Sequence, residues 1–232
     1  MENKRELSKL SLDEMVQNLI KVDDISWGMY AFSRDLLRNR FSYNEKRILI
    51  PKAIECGKKK AREIAEKYGT ANAKELAAML GVNVEYVEQG QTVDRILFAL
   101  FTPPNNIEIM KEPVKRALVS KEVSRIVTEN DIELLILAHE IFHFLEEEDK
   151  EIFTRNEKIE LWRFFGYKHR SAIRALSEIA ATYFAKELNA TKYHPFLLDV
   201  ILYYSYNEIG SEKLYSEIIA IWQQESLDGE YK

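Results

Sequence analysis

The sequence contains little cysteine, glycine or proline. Its single cysteine, Cys56, excludes a disulfide within these 232 residues and leaves no cysteine-based zinc cluster, which indicates a reducing, cytoplasmic setting. The 8 glycines and 5 prolines form no Gly/Ser linker, and no repeat or low-complexity segment divides the chain. We therefore predict one domain with helical additions at both ends.

Long apolar runs and an excess of positive charge are also missing. No apolar run approaches the ~20 residues that a membrane span needs, and the charged start MENKRELSKL lacks the apolar centre of a signal peptide. We expect neither export nor membrane insertion. Because 33 Lys and Arg face 38 Asp and Glu, for a net charge of −5, direct nucleic-acid binding is not expected either.

One local basic run stands out against this acidic composition. Lys58, Lys59, Lys60 and Arg62 follow one another closely in a stretch with helical periodicity. We interpret the run as a solvated helix face, with a partner-binding patch as the alternative.

The most informative stretch is IELLILAHEIFHFLEEE, residues 132–148. Its periodicity predicts a core helix, which Asn130 and Glu133 would begin as a capping box. On that helix His139 and His143 lie one turn apart on the same face, so both imidazoles can bind one metal ion with Glu140 beside it. Two imidazoles and a carboxylate buried without a partner would be costly, whereas a divalent cation would satisfy all three, and we therefore predict metal binding.

A catalytic zinc site usually has three protein ligands, so a third must come from elsewhere. Glu178 is the best candidate, because alanines and Thr182 surround it at helical spacing and would let its helix approach the first one closely. The alternative is an ordinary i,i+4 ion pair between Glu178 and Arg174. Spacing alone leaves both interpretations open.

Helical periodicity extends through both ends of the chain. We predict helices near Ser11 or Asp13 and near residue 25, and a longer one over residues 52–68, entered through Pro51 and ended by Gly69. Further helices are predicted over residues 114–127, from a cap at Ser171 to Leu188, from Pro195, and over residues 211–225.

Residues 70–90 fit two structures that imply different functions. The spacing of a helix-turn-helix is present in Ala77, Gly81 and Val87, which would be its small residue, its turn glycine and the apolar residue of its recognition helix. That structure would make the segment a DNA-binding module. The β-branched and aromatic pattern after Gly81 instead favours a strand, and the segment is acidic. We favour the strand. With strands at residues 95–102 and 106–110, it gives an α+β, predominantly helical fold with a small antiparallel sheet of about three strands.

These segments resemble the ImmA/IrrE-type metallopeptidases, in which an H-E-x-x-H helix precedes a helix reading roughly E-x-x-A-N-x-F-A. This chain has HEIFH at residues 139–143 and EIAATYFA at residues 178–185, with Thr182 in place of the usual asparagine. The resemblance covers about residues 52–190. It implies a zincin-like core at residues 51–190 whose sheet packs on the H-E-x-x-H helix. Residues 1–50 and 191–232 have no assigned counterpart in that family, and their helical periodicity predicts a helical extension at residues 1–50 and C-terminal helices at residues 191–232 packed on the core.

The resemblance also implies a gluzincin mechanism. His139, His143 and Glu178 would hold Zn²⁺, with Mn²⁺ or Fe²⁺ as alternatives, and the ion would activate a water whose proton passes to Glu140. Four residues are candidates for the donor that stabilises the oxyanion, namely Tyr167, His169, Tyr183 and His194.

The expected substrate is a regulatory protein, such as a transcriptional repressor, cleaved at a specific site in a stress response or in a mobile element. Two non-enzymatic regulators remain as alternatives: the DNA-binding module of residues 70–90, and a metal-stabilised interaction protein that has lost activity.

Overall fold

The computed structural model describes residues 10–88, 91–92, 95–191 and 193–229. These residues form an α+β fold in which helices predominate, as predicted. The strands are β1 (Asn83–Val87), β2 (Gln91–Thr92), β3 (Arg95–Ile96), β4 (Ala99–Thr102), β5 (Asn106–Met110), β6 (Lys158–Phe164) and β7 (Tyr167–Ala172). The helices are α1 (Leu12–Leu19), α2 (Asp24–Ser33), a 3-10 turn (Arg38–Arg40), α3 (Tyr43–Tyr68), α4 (Ala73–Met79), α5 (Lys111–Val119), α6 (Lys121–Ile126), α7 (Glu129–Glu148), α8 (Phe153–Asn156), α9 (Arg174–Leu188), α10 (Leu197–Tyr204) and α11 (Glu208–Gly229).

Helix α7 is the predicted core helix, and it begins at a different cap from the one predicted. Thr128 Oγ1 accepts a hydrogen bond from the Asp131 N–H at 3.2 Å, and the Asp131 carboxylate accepts one from the Thr128 N–H at 3.0 Å. The predicted capping box of Asn130 and Glu133 is therefore wrong by two residues. Thr128 adopts the extended backbone of a cap, whereas Asn130 already lies inside the helix.

Helix α9 lies between α7 and α3 and packs against both of them. Ala180, Ala181 and Ala185 share one buried cluster with the apolar residues of α7, in keeping with the predicted small-residue face. On the other side, a Cβ placed on Gly57 of α3 would lie 2.1 Å from the carbonyl oxygen of Ala180. The two helices approach this closely because Gly57 has no side chain.

Strand β1 follows Gly81 directly, as predicted, and the helix-turn-helix interpretation is wrong. Gly81 has a left-handed backbone with φ of +71°. It follows α4, and the chain then runs extended, with Val82 buried. Strand formation at residues 83–87 removes the recognition helix that a DNA-binding module would need.

The three-stranded sheet is mixed, with the order β1-β5-β4, so the predicted antiparallel sheet is corrected. β4 runs antiparallel to β5, but β1 pairs with β5 in parallel, from Asn83 opposite Asn106 to Val87 opposite Met110. The predicted strand at residues 95–102 is split, because β3 pairs with β2 in a separate ribbon while β4 joins β5. β5 is therefore the central strand, with β4 along one edge and β1 along the other.

Several predicted helix boundaries also differ. α3 begins at a capping box formed by Ser42 and Glu45, so Pro51 lies inside the helix and the boundary predicted at residue 51 falls within it. The helix predicted over residues 114–127 is two helices, because Ser120 has an extended backbone and caps α6.

The segment before α9, for which the sequence predicts only a helix cap at Ser171, forms the hairpin of β6 and β7. Ser171 lies in β7 and therefore does not cap α9. The N-terminus of α9 is capped by Asp35, which lies two residues after the end of α2. The Ala175 N–H donates a hydrogen bond to Asp35 Oδ2 at 2.7 Å. Near the C-terminus, α10 begins two residues after Pro195, and α11 begins at Glu208.

The basic run on α3 is neutralised by neighbouring acids. Lys58 pairs with Asp24, Lys59 and Lys60 with Glu63, Lys60 also with Asp149, and Arg62 with Glu55 and Glu187. This arrangement fits the solvated-face interpretation. Within the described ranges, no helix is both long and apolar enough to cross a bilayer.

Candidate metal centre

The two histidines of α7 direct the same ring nitrogen toward one point. His139 Nε2 and His143 Nε2 lie 3.1 Å apart, with the ring planes at 73° to each other. The helix produces this convergence, because positions i and i+4 are stacked one turn apart. Both side chains are mostly buried, with 23% of His139 and 19% of His143 exposed.

Glu178 of α9 lies beside the histidine pair, and it also forms the ion pair with Arg174 that was the alternative interpretation. One carboxylate oxygen, Oε2, lies 3.3 Å from His139 Nε2, while Oε1 accepts a hydrogen bond from Arg174 Nε at 3.1 Å. Burial alone would raise the pKa of Glu178. The hydrogen bond with His139, together with the charges of His139, His143 and Arg174, instead holds that pKa well below its usual range.

The donor set fits a divalent transition metal. Ligand atoms of His139, His143 and Glu178 all lie within 4.8 Å of one another. Two imidazole nitrogens and one carboxylate oxygen are the ligands of open zinc sites, and bonds of about 2.0–2.2 Å in tetrahedral geometry place such atoms roughly 3.3 Å apart. The observed separations of 3.1 and 3.3 Å agree with this spacing.

Two residues behind His143, Ser177 and Glu146, were missed by the sequence analysis. Ser177 Oγ donates to Glu146 Oε2 at 2.6 Å, and it lies 3.3 Å from His143 Nδ1. Glu146 Oε2 is itself 3.5 Å from that nitrogen. A group that accepts the Nδ1 proton of a ligating histidine leaves Nε2 free for the metal. The available signal was spacing, because Glu146 follows His143 by three residues and Ser177 precedes Glu178.

These carboxylates change the titration of His143. Burial lowers the pKa of its imidazole, but Glu146, Glu178 and Glu140 favour the charged form and together raise that pKa above its ordinary value. Glu146 is affected in the opposite direction. Burial raises the pKa of its carboxyl, and the hydrogen bonds with His143 and Ser177 bring it below the usual range.

Glu140 faces the sheet instead of the ligand triad. Its Oε2 accepts a hydrogen bond from the backbone N–H of Phe101 in β4 at 2.9 Å. β4 is an edge strand of the three-stranded sheet, and this bond uses an N–H that points away from β5. The contact fixes the carboxylate against the edge of the sheet.

The candidate oxyanion donors whose side chains are described lie in two different places. Tyr183 and His194 are buried against each other, with ring centroids 4.9 Å apart, and His194 also stacks on Trp27. His169 lies in β7, where its ring contacts Trp162. The side chain of Tyr167 lies outside the part that the structure describes. None of the contacts seen for Tyr183, His194 or His169 among the described residues is with the ligand triad.

Asp199 is a second acid that the sequence analysis did not single out. It accepts a hydrogen bond from Tyr30 OH at 2.9 Å. Removal of its carboxyl group from water raises the pKa of Asp199 and the charge of Glu178 adds to that rise, while the hydrogen bond from Tyr30 and the charges of Arg34 and His139 oppose it.

Comparisons of this chain with family models, curated proteins and solved structures found no match.

Proposed function

We propose that this chain is a zinc-dependent peptidase of the ImmA/IrrE type that cleaves a regulatory protein at a specific site. The observation that carries the proposal is the convergence of His139, His143 and Glu178 from two helices on one point, with Glu140 next to His139 in the same helix and hydrogen-bonded to the backbone of β4. Such a donor set with a neighbouring carboxylate is the arrangement required for metal-assisted hydrolysis of a peptide bond.

The proposed chemistry divides between the ion and the chain. A bound Zn²⁺ supplies Lewis acidity and lowers the pKa of a coordinated water toward neutrality. Glu140 takes the proton from the attacking water and passes it to the leaving amine. The hydrogen bond from Phe101 keeps the Glu140 carboxylate oriented, while Ser177 and Glu146 keep the ring of His143 in the tautomer that exposes Nε2.

Strand β4 offers the substrate a place to lie. An edge strand has unpaired backbone groups, and an extended peptide can hydrogen-bond to them as an additional strand. Because Phe101 of β4 contacts Glu140, a peptide on this edge would pass the carboxylate that handles the proton. This placement suits the selection of one exposed, extended segment of a folded regulator, as expected for a transcriptional repressor.

The experiment that tests the proposal separates metal binding from cleavage. Glutamine at position 140 has nearly the shape of glutamate but cannot accept the proton, and the three metal ligands are unchanged. We therefore expect Glu140→Gln to retain one equivalent of zinc. Its cleavage of the regulator encoded beside this gene should fall below detection. Chelator should abolish wild-type cleavage, and added zinc should restore it. Unchanged turnover by the Glu140→Gln variant would contradict the proposal and leave a metal-stabilised interaction protein.

A further inference from the structure

The hairpin of β6 and β7 has two chemically different faces. The register pairs Ile159 with Ser171, Trp162 with His169 and Arg163 with Lys168, with an irregularity between Glu160 and Trp162. Paired residues share a face, and successive residues of β7 alternate between faces. One face therefore carries Ile159, Trp162, Phe164, His169 and Ser171, and the other carries Lys158, Glu160, Arg163, Lys168, Arg170 and Ala172.

The apolar face is buried only at its base. Ile159 packs against the cluster formed by α2, α3 and α9, whereas Trp162 is 51% exposed and Phe164 66% exposed. At the turn, Phe165 is 94% exposed, and its ring lies 4.6 Å from that of Phe164. Three large aromatic side chains thus remain accessible to solvent at the outer end of one element, although each could bury about 150–250 Å² against a partner.

The opposite face is strongly basic within an acidic chain. It carries four basic side chains and only one acid, Glu160, which binds Arg163 through two hydrogen bonds of 3.0 Å. Arg163 lies directly opposite Lys168. Like charges in that position destabilise a strand pair, and a ribbon of two strands is marginally stable at best. An anionic partner on this face would remove the repulsion.

We propose that the hairpin is a docking surface for an extended segment of the substrate protein in which acidic and large apolar side chains alternate. Added as a third strand beside β6, such a segment would place its apolar side chains beside Phe164 and its acids beside Arg163, on the face that also carries Lys168. A lipid bilayer could contact only one face of the hairpin, whereas an added strand has side chains on both faces. The presence of an apolar face and a basic face therefore favours a strand. The hairpin also leads directly into α9, the helix that carries Glu178, because only Ile173 lies between the end of β7 and the start of α9.

The identification of this segment as part of the substrate rests on the proposed peptidase function, but its test does not require cleavage. The probe is a short fluorescein-labelled peptide that alternates glutamate with leucine or phenylalanine, and the comparison peptide has lysine at every glutamate position. Binding to the full-length, zinc-loaded Glu140→Gln protein is measured by fluorescence anisotropy. We expect the acidic peptide to bind at least about tenfold more tightly than the basic one, and to weaken as salt is raised.

Two hairpin variants test each face separately. Lys168→Glu with Arg170→Glu reverses the basic face, and Phe164→Ser with Phe165→Ser removes the exposed rings. Each pair should weaken binding of the acidic peptide by about tenfold or more, with unchanged zinc content and circular dichroism. The matched controls are Lys52→Glu, on the exposed side of α3, and Leu36→Ser, a side chain 91% exposed after α2, and neither should change binding.

Equal binding of both peptides, or full binding by both hairpin variants, would overturn the inference. So would binding to phosphatidylglycerol vesicles that is lost in the hairpin variants while neither peptide binds, because the occupant would then be a bilayer. If the peptides do not bind but Glu140→Gln still abolishes cleavage, the docking surface fails and the peptidase proposal stands. Peptide binding without any metal-dependent cleavage overturns the assignment of the segment to a substrate.

Discussion

At the scale of single residues, the metal centre depends on side chains from two helices that are far apart in the chain. His139 and His143 come together through helix geometry alone, but Glu178 reaches them only because α9 packs on α7. We predict that His139→Ala and Glu178→Ala each abolish stoichiometric zinc binding, measured by elemental analysis after dialysis and by calorimetric titration. His169→Ala, which removes a histidine in the hairpin, is the control. Full zinc retention in both ligand variants would exclude the site.

The residues behind His143 should tune the affinity without abolishing the site. Ser177 and Glu146 orient the imidazole through its Nδ1 atom, so Glu146→Ala or Ser177→Ala should weaken zinc binding by about 10–100-fold. Competition with a fluorescent chelator measures this range. Glu148→Ala changes an exposed acid on the same helix and should leave the affinity unchanged. A loss of the same size in this control would indicate a general charge effect instead of orientation.

The titration of His143 predicts how acid affects metal binding. Zinc binds the neutral imidazole, and the neighbouring carboxylates raise the pKa of His143 in the metal-free protein, so protons compete at a higher pH than for an unperturbed histidine. Apparent zinc affinity should therefore begin to fall at a higher pH than it would for a site whose histidines have their ordinary pKa. Removal of the Glu146 carboxylate takes away one cause of the shift, so Glu146→Ala should move the onset to lower pH. An onset that does not move would contradict this assignment.

At the scale of helices and strands, the close contact between α3 and α9 depends on a glycine, Gly57. The Cβ of Gly57→Ala would collide with the backbone of Ala180, which a side-chain rotation cannot relieve. We predict that this variant lowers the free energy of unfolding by about 1–3 kcal/mol, measured by urea denaturation. Lys59→Ala, an exposed position on the same helix, should change it by less than about 0.5 kcal/mol. Because α9 carries Glu178, zinc affinity should also fall in Gly57→Ala.

An element could be predicted from the sequence when the residues that determine it lie within the element itself. α7 has an apolar surface broken only by its motif, and the alanines around Glu178 mark a helix that packs closely, so both helices were identified from their own residues. The parallel pairing of β1 with β5 depends on which side of β5 is taken by β4, and no residue of β1 encodes that choice. The hairpin was missed for a related reason. Trp162, Phe164 and Phe165 are exposed, so they do not show the buried alternation by which a strand is usually predicted.

At the scale of the whole molecule, segments from both ends of the chain contribute to the same interior. Leu12 and Met15 of α1 share a buried cluster with Ile201 of α10 and with the apolar residues of α7. The C-terminal helix is attached through Glu225, whose buried carboxylate accepts hydrogen bonds from Tyr43 OH at 2.9 Å and from Arg47 at 2.8 Å. Both ends should therefore unfold together with the metal centre, although the metal ligands lie only on α7 and α9.

This shared interior predicts how zinc should stabilise the protein. A ligand that binds only the folded state adds about 4 kcal/mol to the free energy of unfolding when its concentration is about 1,000 times its Kd. Because the described ends pack on one core, the entire transition should shift upward in a single step when zinc is added, whether it is followed by circular dichroism or by the fluorescence of Trp27 and Trp222. Glu178→Ala should show one transition that does not respond to zinc. Two separate transitions, of which zinc moves only one, would mean that the terminal helices fold independently of the site.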